Sequence, residues 1–197
     1  MRMIVPLFVG TGKGKRKVAV LVPKEWHLIE TQLNADYKIR GNFLLQTAMR
    51  ISEAKYVAEH PECVRKENMA IFLPRVEEIG KKKCKIKNRA IMLSPQGMKA
   101  VEDFFEKKVG FVSYTAMEAA FKRAARDADF DTSCITTKML RKTMISWLVS
   151  CFPEKQMQIE HSAGHTFDTM SGHYVTFGFG KENIKDMKSE LEGWGES

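Results

Sequence analysis

The chain lacks several features that would assign it to a common class of protein. No segment approaches the roughly 20 consecutive apolar residues that a membrane-spanning helix requires, so we expect no membrane partner. The apolar run at the start of the chain is too short for a signal peptide, and no small-residue cleavage site follows it. We therefore expect the protein to stay in the cytoplasm.

Cysteine is scarce, and its spacing matches no metal or disulfide framework. The residues are Cys63, Cys84, Cys134 and Cys151, with no CxxC pair and no histidine at metal-ligand spacing. We expect reduced, partly buried thiols and no structural zinc. The glycine-rich stretch 10–14 lacks the Ser or Thr and the strand-loop-helix context of a nucleotide site. It predicts a basic hairpin turn, and a solvated loop is the second interpretation.

Positive charge is present in excess and is clustered. Lys and Arg total 32 against 24 Asp and Glu, which gives a net charge of +8. The segment 13–17 holds four cations in five residues, and the segment 81–89 holds six in nine. Both lie beside glycine or strand-like residues, so they predict two basic hairpin tips. Such a distribution fits a polyanionic partner.

Hydrophobic periodicity predicts an α+β fold that is mostly helical, with a small antiparallel sheet. Ser94 and Pro95 indicate the start of one helix, and the helix expected over 43–58 is interrupted or bent near Arg50. The predicted strands are 4–9, 17–22, 69–73 and 89–93. The predicted helices are 23–33, 43–58, 95–107, 114–127, 137–151, 154–161 and 182–191.

Three segments carry charged and nucleophilic side chains at distinctive spacings. The first reads Leu-Leu-Gln-Thr-Ala-Met-Arg-Ile-Ser-Glu, in which Arg50 precedes Glu53 by three residues. The second reads Lys-Met-Leu-Arg-Lys-Thr and places Arg141 three residues after its first lysine. The third begins with Gly-His at His165 and contains Tyr174 nine residues later. The combination of the three segments in this order, with the tyrosine in the last of them, is not expected by chance.

In order and spacing these segments resemble the signature boxes of tyrosine recombinases, the phage-integrase-like family. The resemblance covers residues 23–177, and it is nearest in character to integrases of archaeal viruses or plasmids. Two positions depart from the family pattern. Ala48 stands where the first box has glycine, and Lys138 stands where many relatives have histidine.

The resemblance implies a DNA-cleaving and rejoining enzyme that needs no metal, ATP or other cofactor. Tyr174 would attack a DNA phosphodiester, leaving a 3′-phosphotyrosyl link and a free 5′-hydroxyl. Arg50 and Arg141 would clamp the phosphate, because a guanidinium donates two parallel hydrogen bonds and stays charged. His165 would hydrogen-bond the phosphate or assist proton transfer, and Glu53 would steady the site.

Lysines would complete this catalytic set. Lys138 would add positive charge at the scissile phosphate, since free lysine is a poor base at neutral pH. Integrases of archaeal viruses and plasmids and type IB topoisomerases often carry lysine at this position. In the family, a lysine on a β-hairpin protonates the leaving 5′-oxygen. Lys85 is our first choice for this general acid, Lys83 the second and Lys82 the third.

The resemblance also implies partners and an organisation for the chain. We expect double-stranded DNA as partner and a homo-oligomer, a dimer or tetramer, on that DNA in the host cytoplasm or nucleoid. We expect one catalytic domain over 1–197, with a basic hairpin (1–22), a core (23–177) and a helical tail (178–197). The family's separate N-terminal DNA-binding domain is expected to be absent. The predicted DNA-binding residues are Lys13, Lys15, Arg16, Lys82, Lys83 and Lys87.

Two alternative functions stay open at this point. A type IB topoisomerase shares the fold and the site, and it would relax supercoiled DNA as a monomer. The segment around Arg50 and the compact spacing favour an integrase over it. A catalytically inactive DNA-binding relic is the third hypothesis. Chemically competent residues at all the proposed catalytic positions argue against it.

Overall fold

The computed structural model describes residues 8–11, 17–74, 88–164 and 178–196. Its helices are α1 (Pro23–Glu30), α2 (Ala35–Thr47), α3 (Ile51–Glu59), α4 (Pro95–Glu106), α5 (Tyr114–Asp127), α6 (Lys138–Cys151), α7 (Gln156–Ala163) and α8 (Lys181–Glu190). Its strands are β1 (Phe8–Thr11), β2 (Lys17–Val20), β3 (Val64–Arg65), β4 (Ala70–Leu73) and β5 (Arg89–Met92). No helix within these ranges is long and apolar enough to cross a membrane.

The strands form two small antiparallel sheets. β1 pairs with β2, and Phe8 lies opposite Val20. The second sheet has the order β3-β4-β5, and Leu73 of β4 lies opposite Arg89 of β5. The structure is therefore mostly helical with small antiparallel sheets, as the sequence predicts. The short strand β3 was not predicted, because two residues are too few for an alternating pattern.

Polar caps set the starts of several helices. The side chains of Asn34, Ser94 and Ser113 accept hydrogen bonds from the backbone amides of Tyr37, Gly97 and Ala116, at 3.0, 3.0 and 3.2 Å. Each cap satisfies an amide that the first helical turn leaves unpaired. These caps place the starts of α2, α4 and α5.

The predicted start of the second helix was wrong. The Gly-Asn pair before Phe43 predicts a start at that residue, whereas α2 begins at Ala35. Gly41 lies inside the helix, and the absence of a side chain there leaves room for the indole ring of Trp26. A Cβ atom at Gly41 would lie 2.8 Å from Cη2 of that ring. The glycine therefore reflects a close packing contact and not a turn.

The core is centred on α6. The indole of Trp147 donates a hydrogen bond to the carbonyl of Leu21 at 2.7 Å, and the amide of Leu21 donates to the Thr143 hydroxyl at 3.0 Å. The side chains of Thr143 and Trp147, both on α6, are fully buried. These bonds join the end of β2 to the middle of the helix that begins with Lys138.

The final segment packs against the body of this chain. The indole of Trp194 is buried, donates a hydrogen bond to the carbonyl of Met92 at 3.0 Å and stacks on Phe152 at 5.8 Å. The ammonium group of Lys155 donates to the carbonyl of Trp194 at 3.2 Å. The structure thus places the end of the tail beside β5 and the start of α7.

Candidate functional site

The candidate site begins where α2 ends and α3 starts. Ala48 adopts a left-handed backbone, with φ 49° and ψ 23°, and this conformation ends α2. Arg50 is the N-cap of α3, and its amide donates a hydrogen bond to Oε2 of Glu53 at 2.8 Å. The predicted interruption near Arg50 is therefore confirmed, and it lies between two separate helices.

The carboxylate of Glu53 is surrounded by three guanidinium groups. Nη1 of Arg50 donates to Oε1 at 2.6 Å, and Nη1 of Arg141 lies 3.8 Å from Oε2. Arg89 donates twice, from Nη1 to Oε1 at 3.0 Å and from Nη2 to Oε2 at 2.9 Å. The structure thus brings together the two arginines that the sequence predicts as phosphate ligands.

The arginines hold Glu53 in its charged form despite its burial. The side chain is 1% exposed, and burial alone raises the pKa of a carboxyl group. The hydrogen bonds and charge of Arg89 oppose this, and the charges of Arg50 and Arg141 add to the effect. Together they lower the pKa of Glu53 from the ordinary 4.5 to about 2. The site therefore holds three positive charges and one negative charge at neutral pH.

Arg141 is fixed by the ends of two helices. Its Nη1 donates to the carbonyl of Ala48, which follows α2, and its Nη2 donates to the carbonyl of Ala163, the last residue of α7. The carbonyls at a helix C-terminus lack partners within the helix and carry partial negative charge. Arg141 satisfies two of them, which sets the plane of its guanidinium group.

Arg89 is a residue of this site that the motif spacings did not predict. It is 3% exposed and opens β5, and its Nε donates to the carbonyl of Ser162 at 2.9 Å. A sequence signal for it exists. Strand alternation places Arg89 on the same face as Ile91, a core residue. An arginine on the buried face of a strand needs a buried anion to balance its charge, and here that anion is the carboxylate of Glu53.

The predicted residues differ in how far they reach solvent. The side chain of Arg50 is 44% exposed and that of Arg141 is 11% exposed, whereas Glu53 is enclosed. Lys138 is exposed at the first residue of α6, one helical turn before Arg141. The other predicted residues lie outside the described ranges: Lys13, Lys15, Arg16, Lys82, Lys83, Lys85, Lys87, His165 and Tyr174.

The arrangement is suited to binding an anion. The single charge of Glu53 balances one of the three guanidinium charges, and Lys138 adds a further cation nearby along α6. Over the described ranges, no group of three or more His, Cys, Asp or Glu side chains lies together as a metal site. Arginine forks match the oxygens of a phosphate in geometry as well as in charge.

Comparison with solved structures shows what the fold is similar to. The integrase of the transposon Tn1549, in complex with circular intermediate DNA, superposes with a TM-score of 0.63 at 14% identity. The match covers 87% of this chain, which spans 64% of the length of that integrase chain. The similarity confirms the predicted integrase catalytic fold, mostly helical with a small antiparallel sheet. Comparisons with protein-family models and with curated proteins find no match.

Proposed function

We propose that the chain is the catalytic domain of a tyrosine recombinase, an integrase that cleaves and rejoins DNA through a 3′-phosphotyrosyl link at Tyr174. One observation carries the proposal. Arg50 and Arg141 are distant in sequence, and they meet at the same buried carboxylate, that of Glu53. The similarity of the fold to an integrase solved with DNA supports the same function.

The arginines supply the electrostatic part of the reaction. Negative charge grows on the non-bridging oxygens as a nucleophile attacks phosphorus, and preorganised donors stabilise it without reorganising. Arg141 is held by two backbone carbonyls, so its guanidinium is already oriented. The guanidinium group of Arg50 is bound to Glu53 through Nη1 alone, and the side chain is 44% exposed, which leaves the fork accessible to a phosphate.

The nucleophile would enter from the end of α7. The carbonyl of Ala163 accepts a hydrogen bond from Arg141, so the last residue of α7 lies at the site. The segment that contains His165 and Tyr174 follows directly in the sequence. The phenolate oxygen of Tyr174 would form a bond to phosphorus while the bond to the 5′-oxygen breaks. That oxygen would take its proton from Lys85, or from Lys83 or Lys82. Attack by a 5′-hydroxyl on the phosphotyrosine reverses the step and rejoins DNA.

Lys138 would add charge at the same phosphate. It lies on the first turn of α6, where the helix dipole also favours an anion, and it is one turn from Arg141. Lysine at this position is typical of integrases of archaeal viruses or plasmids and equally of type IB topoisomerases, so it does not separate the two. We propose double-stranded DNA as the partner, with assembly into a dimer or tetramer on it, in the host cytoplasm or nucleoid. The expected DNA contacts from 13–16 and 82–87 belong to this proposal.

The test is to trap the covalent intermediate. Duplexes nicked near the cleavage point, with randomised surrounding sequence, release a short fragment after cleavage, so rejoining stops. We expect an adduct that survives detergent with the wild-type protein. It should be lost in Tyr174→Phe and retained in Tyr114→Phe, a matched control at an exposed tyrosine that begins α5.

Two results would overturn the proposal in favour of an alternative. Absence of an adduct from the whole pool would leave a DNA-binding relic. Relaxation of a supercoiled plasmid, with no exchange between two copies of the selected sequence, would identify a type IB topoisomerase. The box around Arg50, with Glu53 three residues on, favours recombination.

A further inference from the structure

We infer that Arg89 is a positioning residue of this site. It fixes the carboxylate of Glu53 relative to the end of α7, the helix that precedes His165 in the sequence. The inference rests on the proposed function. Arg89 is 3% exposed, so it does not contact DNA, and any effect it has must pass through its neighbours. Its contacts identify those neighbours.

All three nitrogens of the Arg89 guanidinium donate hydrogen bonds in two directions. Two of them, Nη1 and Nη2, bind the two oxygens of Glu53 in parallel at 3.0 and 2.9 Å. The third, Nε, binds the carbonyl of Ser162 at 2.9 Å. A parallel fork fixes the plane of the carboxylate as well as its distance. That carboxylate in turn binds Arg50.

The face of the guanidinium packs against Gly164. A Cβ atom at Gly164 would lie 3.0 Å from Cδ, 3.1 Å from Nε and 3.2 Å from Cζ of Arg89. The residue also has a φ of +65°, a conformation that glycine adopts without strain. Both the space and the backbone therefore require glycine directly before His165.

These contacts make α3, β5 and α7 one connected unit. The amide of Met92 donates to the hydroxyl of Ser162 at 3.2 Å, which ties β5 to α7 a second time. Arg89 and Arg141 bind the successive carbonyls of Ser162 and Ala163, and both face Glu53. A shift of Arg89 would thus move the Glu53 carboxylate and the start of the segment that holds the nucleophile.

Lysine cannot replace arginine here without loss. A lysine has one nitrogen, which cannot bind both oxygens of Glu53 and also the carbonyl of Ser162. Arg89→Lys keeps the positive charge that balances Glu53 but loses the paired hydrogen bonds to its two oxygens and the bond to the carbonyl of Ser162. The variant therefore separates a positioning role from a purely charge-balancing one.

The experiment measures single-turnover cleavage of a duplex selected from the nicked pool. We expect Arg89→Lys to lower the rate constant for adduct formation about 100-fold, because displacement of reacting groups by about 1 Å has this effect. The dissociation constant for the uncleaved duplex should change by less than about threefold, since Arg89 does not contact DNA. Gly164→Ala, whose added methyl group would press on the same guanidinium, should also lower the rate constant.

Arg40→Lys is the matched control. Arg40 is also buried, at 7% exposed, and its Nε donates to the carbonyl of Gly110 at 2.7 Å. Its ion-pair partner is Asp36, one turn earlier on α2, and not Glu53. We expect a loss of stability there with an unchanged rate constant. A merely structural Arg89 would behave likewise, with fewer active molecules and therefore a smaller adduct amplitude at the wild-type rate constant.

The outcomes separate the inference from the proposed function. No adduct with wild-type protein would overturn both. An adduct with wild-type protein, together with wild-type rate constants in Arg89→Lys and Gly164→Ala, would overturn the positioning role alone. A reduced rate constant in Gly164→Ala would support the role even if Arg89→Lys did not fold.

Discussion

A single buried carboxylate organises the candidate site at the scale of the residue. Glu53 is 1% exposed and would be costly to ionise alone, but three arginines stabilise its charge. Arg89 is buried with it, whereas Arg50 reaches solvent. The carboxylate therefore links a structural ion pair to a guanidinium group that can bind a ligand.

Glu53 should make stability depend on pH in a defined range. Its pKa is about 2 in the folded protein against an ordinary 4.5. A lowered pKa stabilises the fold above about pH 4.5, and this contribution is lost as the pH falls through 2. It is on the order of 3 kcal/mol, at about 1.4 kcal/mol for each pH unit. Denaturant unfolding from pH 6 to 2.5 should show the advantage of wild type over Glu53→Gln shrinking with acidity.

Glu59→Gln provides the control for that measurement. Glu59 is an exposed carboxylate at the end of the same helix, α3. Its removal should change the free energy of unfolding little at any pH, because surface charges contribute little. A constant difference between wild type and Glu53→Gln across the range would contradict the assigned pKa.

Arg141 should not tolerate lysine. A lysine could satisfy one of the two helix-end carbonyls, of Ala48 and Ala163, but it lacks the second nitrogen and the fixed plane. Loss of one preorganised donor in a transition state typically lowers a rate about 10² to 10³-fold. We expect a fall of this size in the cleavage rate constant of Arg141→Lys. Arg126→Lys, at an exposed position of α5, should cleave at the wild-type rate.

Left-handed residues at helix ends are the distinctive feature at the scale of the element. Ala48 has a φ of 49° after α2, and Lys108 has a φ of 52° just after α4. L-residues adopt this conformation at a cost of about 1–2 kcal/mol. At Ala48 the conformation also turns the chain at the carbonyl that binds Arg141. Strain there accompanies a contact of the site.

Glycine should relieve this strain to different extents. Lys108 is exposed, so Lys108→Gly should raise the free energy of unfolding by about 1 kcal/mol. Ala48 is 7% exposed, and losing its buried methyl group, worth about 0.8 kcal/mol, offsets most of the gain. Ala119→Gly, at an exposed position inside α5, should lower stability by about 1 kcal/mol. Denaturant unfolding of the three variants checks the order, and a destabilised Lys108→Gly would contradict it.

The elements were predictable where the local signal was strong. Ser94 with Pro95 predicted the start of α4, and helical periodicity predicted α5 over its full length. The start of α2 was not predictable from the Gly-Asn pair at 41–42. Glycine is needed at position 41 because Trp26, 15 residues earlier in the sequence, packs against it. Arg50 and Arg141 were singled out by the resemblance of their segments to the signature boxes of tyrosine recombinases. Arg89 was missed because its partner, Glu53, lies in another element.

At the scale of the whole molecule, the proposed binding to DNA should be governed by positive charge. The chain carries +8, and the basic clusters 13–17 and 81–89 contain much of the excess. Each phosphate contact made by a cation releases counterions, so affinity falls steeply with salt. We expect affinity for a random duplex to fall at least tenfold between about 50 and 200 mM salt. A binding titration in which affinity is flat across that range would contradict a phosphate-dominated interface.

Substitutions within one cluster should reduce this dependence. Replacing Lys13, Lys15 and Arg16 with glutamine removes three cations that are predicted to bind phosphates. The slope of log affinity against log salt should become shallower by up to about 0.9 for each cation removed. Glutamine at Lys107 and Lys108, an exposed pair beyond α4 that was not predicted to bind DNA, is the control. An equal change of slope in both variants would indicate a diffuse charge effect.

The most direct measurement identifies the residue that becomes bonded to DNA. Trypsin cleavage after Lys155 and Lys181 yields a peptide in which Tyr174 is the only tyrosine, so mass spectrometry of the trapped adduct can localise the link. We predict a nucleotide attached through its 3′-phosphate to Tyr174 in that peptide, and no modified peptide from Tyr174→Phe. A link on any other peptide, or a 5′-phosphate link, would contradict the proposed reaction.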